Sequence, residues 1–135
     1  LKEGEGFCGF CKVVRALARL GAKEAGKMLA GMLKRMRDVS AKEEVVRALG
    51  ELGVKETVGV LVEMLDGIDA DVRAAAAEAL GKMGAKQAIG PLIQALEDGY
   101  RRVRRAAAGA LERLTGKTFG TDEQAWVRWW KERSK

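Results

Sequence analysis

Between Asp69 and Asp98 the apolar positions fall into two sets, each on one face of a helix. Val72, Ala76, Ala79, Leu80 and Met83 make the first set, and Ile89, Leu92, Ile93 and Leu96 the second. Gly84 stands between them, a residue suited to the left-handed conformation that ends a helix. The pattern predicts an antiparallel helical hairpin whose apolar faces meet. Such a pair is two layers thick and leaves a flank open, so it needs a copy of itself beside it.

The copies are present. Leu17, Leu49, Leu80 and Leu111 head the closing turns of four first helices at spacings of 32, 31 and 31 residues, and Gly21, Gly53, Gly84 and Gly116 follow them. The second helices align too, since Met28–Leu33, Val60–Leu65 and Pro91–Leu96 end on the same apolar residue. A period of about 30 residues built of helical pairs marks a solenoid. The reading gives a flexible lead-in at 1–9 and a single domain at 10–135, with repeats at about 10–39, 40–68, 69–99 and 100–116. A capping helix follows at about 121–134. Ser40 with Glu43, and Thr121 with Gln124, read as capping boxes that start helices. Trp126, Trp129 and Trp130 share one face of the last helix and are expected to cover the open flank of the stack, as Phe7 and Phe10 are at the other end.

Asp71-Val72-Arg73 with Ala76 and Ala79-Leu80-Gly81, then Ala88-Ile89-Gly90-Pro91-Leu92-Ile93 and Leu96, resemble the HEAT-like repeats first noted in phycobilin lyases. Val103-Arg104 with Ala107 and Ala110-Leu111 repeats the first half, and the likeness runs over roughly residues 10–116. It implies an all-α fold, a right-handed α-solenoid of helical hairpins. It also implies that Arg73 and Arg104 join structural ladders with acidic residues of neighbouring repeats. The tail from Thr115 to Trp130 is similar to endings of other bacterial HEAT-like proteins. The family is functionally mixed, so the resemblance says little about activity.

Composition narrows the function. Only 5% of the 135 residues are aromatic and alanine dominates the first helices, which suits closely stacked helices. No apolar run reaches the roughly 18 residues that a membrane span requires, so no membrane insertion is expected. No signal peptide is expected either, and the compartment stays open with the cytoplasm preferred. The net charge of +6 is uneven: residues 1–99 hold 15 basic and 15 acidic side chains, and residues 100–135 hold 10 and 4. Arg101, Arg102 and Arg105 lie at or near the start of a helix, where positive charge opposes the dipole, and so are candidates for binding a polyanion.

Three motifs touch on chemistry. Gly4, Gly6 and Gly9 match a dinucleotide fingerprint without the strand that should precede it, and Gly116-Lys117-Thr118 is the tail of a P-loop whose first glycine would be Leu111. Neither is retained. Cys8 and Cys11 form C-x-x-C at a helix start, where a thiol pKa falls, so a redox role is a candidate beside the plain reading of two thiols near a frayed end. A closed zinc site would need further ligands, and the chain has two cysteines and no histidine.

The missing histidine also removes the usual acid–base machinery, and no enzyme, cofactor or metal is expected. The function read from the sequence is a noncatalytic, monomeric interaction module. Another protein or peptide would sit on a concave face lined by second helices. Met28, Val60 and Pro91 would form its mildly apolar centre, and Glu24, Glu56, Glu63, Gln87 and Gln94 its polar border. The alternative is weak nucleic-acid or other polyanion binding through the basic last quarter.

Overall fold

The computed structural model describes residues 23–133 together with Lys12, Ala16 and Arg19. Leu17, Gly21, Phe7, Phe10, Cys8 and Cys11 lie outside the described residues. Among the described residues there are seven α-helices and no strand: α1 Lys23–Leu33, α2 Val39–Leu52, α3 Val58–Met64, α4 Ala70–Met83, α5 Ile89–Ala95, α6 Arg101–Thr115 and α7 Glu123–Arg133. One-turn 3-10 helices, Lys55–Thr57 and Lys86–Ala88, lead into α3 and α5. The chain is thus an α-solenoid in which α2, α4 and α6 are first helices and α1, α3 and α5 second helices.

Gly53, Gly84 and Gly116 end the three first helices in the left-handed conformation, with φ of 64°, 68° and 77°. At Gly84 the following amide, Ala85 N–H, returns to the Leu80 carbonyl at 3.2 Å, closing the helix end before the chain reverses. The helix starts differ from expectation. Asp38, not Ser40, caps α2, accepting the Ala41 amide at 2.9 Å. Asp122, not Thr121, caps α7 through the Ala125 amide at 3.1 Å. In both places a carboxylate adjacent to the helix satisfies an amide that the helix itself leaves unpaired. The α1 helix ends at Leu33, its last turn closing through the Arg35 amide on Met32.

The first helices stack on one another, α2 on α4 and α4 on α6. The central member, α4, is covered on both flanks, and its alanines at 74, 75, 76, 77 and 79 are all buried. Small side chains let the backbones come together. A Cβ placed on Gly50 would lie 2.9 Å from the Cα of Ala79, and one on Gly81 would lie 2.8 Å from the Cα of Ala110.

Among the described residues each second helix packs on the first helix that follows it, α1 on α2, α3 on α4 and α5 on α6. The expected meeting of the two helices within one hairpin is therefore secondary to this packing between repeats. The core between the rows is a column of fully buried leucines, Leu49, Leu61, Leu80, Leu92 and Leu111. The last helix, α7, settles against α5 in the second-helix row. Trp126 is completely buried there. Its indole N–H donates to the Gly120 carbonyl at 2.8 Å, and its ring meets Phe119 edge-on at 4.9 Å.

Candidate interaction surface

Every first helix starts at a connection between repeats, and one arginine organises the connections on either side of α4. Arg73 donates through Nε and Nη2 to both oxygens of Asp98, at 2.8 and 3.2 Å, and through Nη1 to the carbonyls of Gly67 and Ile68, at 2.8 and 2.9 Å. Its guanidinium also lies over the Tyr100 ring at 5.7 Å. Burial pushes the Asp98 carboxyl up, but hydrogen bonds from Arg73 and the Tyr100 amide outweigh it and hold the group below its ordinary range. The same bond to Asp98 raises Arg73 despite burial. Arg104, one repeat on, donates to the Asp98 carbonyl at 2.7 Å. Both arginines thus reach the preceding repeat through main-chain carbonyls, and the one carboxylate bound, Asp98, lies in Arg73's own repeat, unlike the expected ladders with acidic residues of neighbouring repeats.

The three arginines expected to be available to a polyanion divide. Arg102 forms an ion pair with Asp71, which holds the matching position one repeat earlier, so it has a structural partner that the charge run concealed. Both side chains are about half exposed, and such a pair adds at most about 1 kcal/mol. Arg101 and Arg105 are exposed, and neither has a hydrogen-bond or ion-pair partner among the described residues.

Arg105 faces a groove between α4 and α6. Its volume is about 290 Å³, Ala106, Gly109 and Ala110 form its floor, and Glu78, Lys82 and Arg113 stand around it. It continues into a more open depression of about 490 Å³ bordered by Arg101, Arg102 and Glu78. A third groove, of about 270 Å³, lies on the same row beside α2, between Arg47, Glu51 and Arg19. Glu78, Lys82, Gly109 and Arg113 were not among the residues singled out in the sequence. Aligning the first helices at the 31-residue period finds them, because Arg47, Glu78 and Gly109 form one column and Glu51, Lys82 and Arg113 the next.

On the second helices and the 3-10 turns that lead into them, Glu24, Glu56, Glu63, Gln87 and Gln94 are exposed. Met28 is 71% exposed, whereas Val60 and Pro91 are half-buried. Val60 packs partly against the core, so the proposed apolar centre is discontinuous. The described residues include no group of His, Cys, Asp or Glu side chains gathered to hold a metal ion, and no helix long and apolar enough to cross a membrane.

No curated protein matches the chain. Residues 61–125 match the family model described as HEAT repeats. That match runs from within α3 into α7 and takes in the Arg73 connection and the groove between α4 and α6. Over residues 61–125 the chain is therefore similar to HEAT repeats.

Proposed function

We propose that the chain is a noncatalytic interaction module that holds a partner protein or peptide on the face of its first helices. HEAT repeats typically scaffold contacts between proteins, and catalysis is unusual in them. The observation that carries the choice of face is the backbone contact at Gly50 with Ala79 and at Gly81 with Ala110. A stack curves toward the row whose members sit closest together, so the first helices line its inner side. The second-helix columns of Met28, Val60, Pro91 and their polar border then lie on the outer side, the reverse of the arrangement expected from the sequence. The grooves beside α2 and between α4 and α6 both open on the first-helix row, and a concave surface of this kind is what repeat stacks offer a partner.

A polyanion reading draws on Arg101, Arg102 and Arg105 around the open depression. It is the weaker reading, because Arg102 is already neutralised by Asp71 and Glu78 stands on the opposite wall. The test is capture of a partner from lysate of the source organism, with and without nuclease. Gly109→Trp is expected to abolish capture, and Met28→Glu with Val60→Lys to leave it intact, with helicity unchanged in both. The reverse result returns the site to the second helices. Loss of capture on nuclease treatment alone favours nucleic acid.

A further inference from the structure

Taking the first-helix face as the docking surface, we infer that its occupant is an acidic helical segment of a partner protein, lying along the groove between α4 and α6. Charge is graded along this row. Helix α2 carries Glu43, Glu44 and Glu51 against Lys42 and Arg47, α4 balances Asp71 and Glu78 with Arg73 and Lys82, and α6 carries five arginines against Glu112. On α6, Arg102 is held by Asp71 and Arg104 by the Asp98 carbonyl. That leaves Arg101, Arg105 and Arg113, with Lys82 across the groove, and none of these has an ion-pair or hydrogen-bond partner among the described residues.

The three arginines and Gly109 fall at every fourth position of α6, a single strip that spans about 18 Å at the helical rise. Two costs fall on this strip. Cations near the start of a helix oppose its dipole. A glycine in the interior of a helix costs roughly 1 kcal/mol relative to alanine, and Gly109 has nothing within 4 Å of its Cβ position to require it. A ligand that brings carboxylates to the arginines and its own backbone over Gly109 offsets both. An acidic helix does so, since carboxylates at every fourth residue repeat at the spacing of the arginines, about 6 Å. A helix lying in the groove meets Glu78 on its wall but stays along the strip and within reach of Lys82, whereas a phosphate chain crossing the row leaves these cations behind.

The test is fluorescence anisotropy at physiological salt with three probes: a capped alanine-based peptide bearing Glu at every fourth position, its Lys counterpart, and a single-stranded oligonucleotide of equal charge. The Glu peptide is expected to bind more tightly than both others. Arg105→Glu with Arg113→Glu should weaken it about tenfold or more. Gly109→Trp should act in the same direction, with circular dichroism unchanged for both variants. No binding of the Glu peptide at millimolar concentration, tighter binding of the oligonucleotide, or an affinity unmoved by the double reversal overturns the inference. In the lysate assay, capture lost on Gly109→Trp but kept by the double arginine variant overturns the acidic occupant and leaves the docking face standing. Capture unaffected by either variant overturns both.

Discussion

Alanine at position 81 sets two opposed effects against each other, and the geometry decides the sign. In the interior of a helix, glycine to alanine is favourable by roughly 1 kcal/mol, because glycine gives up more backbone freedom on folding. At Gly81 the added Cβ would lie 2.8 Å from the Cα and 2.9 Å from the Cβ of Ala110, where ordinary contact begins at 3.4 Å. The obstructing atoms belong to the backbone and its first carbon, so no rotamer change relieves the clash and α4 and α6 must separate. Overpacking of this kind costs about 1–3 kcal/mol, more than propensity returns, and Gly81→Ala is expected to lower stability by up to about 2 kcal/mol. Gly109→Ala, in the facing helix, meets nothing within 4 Å and should raise stability by about the propensity term alone. Urea unfolding of both variants, followed by far-UV circular dichroism, compares the midpoints at a common slope. A Gly81→Ala protein as stable as the wild type, or a Gly109→Ala protein that is less stable, would refute the account of the first-helix row.

Arg73→Lys keeps the charge but loses the fork that spans Asp98 and two carbonyls, and with both side chains of the pair mostly buried it should cost about 2–4 kcal/mol in thermal or urea unfolding; a loss below about 0.5 kcal/mol contradicts the stapling role. Asp98 is held below its ordinary value of 3.8, so its contribution is complete above that value and disappears as pH falls through the lowered one. The melting temperature should therefore drop on the acid side, and drop less in Arg73→Gln. Glu123 is shifted the other way, by desolvation first and then by hydrogen bonding and repulsion from Glu97, so its contribution is present at low pH and lost as pH rises. Glu123→Gln should melt higher than wild type at pH 7 and equally near pH 3, and a lower melting temperature at pH 7 would contradict this. Leu80→Ala, in the fully buried column, should cost about 2–5 kcal/mol, and a loss below about 1 kcal/mol would place Leu80 outside the core.

The repeats were legible because their markers are strong and local. A leucine recurs every 31 or 32 residues with a glycine four or five residues on, and the glycines after Leu49, Leu80 and Leu111 all adopt the conformation that ends a helix. Helix starts were less so, since Asp38 and Ser40 are both competent caps two residues apart and only the backbone decides between them. The inner side proposed here differs from the one expected, because apolar periodicity shows which face of a helix is buried, not which row packs more tightly. That information lies in a different column, where Gly50 and Gly81 are followed by Glu112 in α6, a helix with no further first helix against it among the described residues. The ion pair of Arg102 was hidden for a related reason: its partner Asp71 is a full repeat away in sequence and on the neighbouring helix of the same row.

The contacts of Gly50 with Ala79 and of Gly81 with Ala110 also fix how the molecule yields to load. Backbones already touching cannot be pressed closer, so the first-helix row behaves as an incompressible hinge line. The successive second helices α1, α3 and α5 hardly touch one another, so their row has slack. Flexing is therefore expected to be taken up between second helices rather than between first helices. A ligand seated on the first helices accordingly meets a surface of nearly fixed spacing, whatever thermal motion passes through the rest of the array.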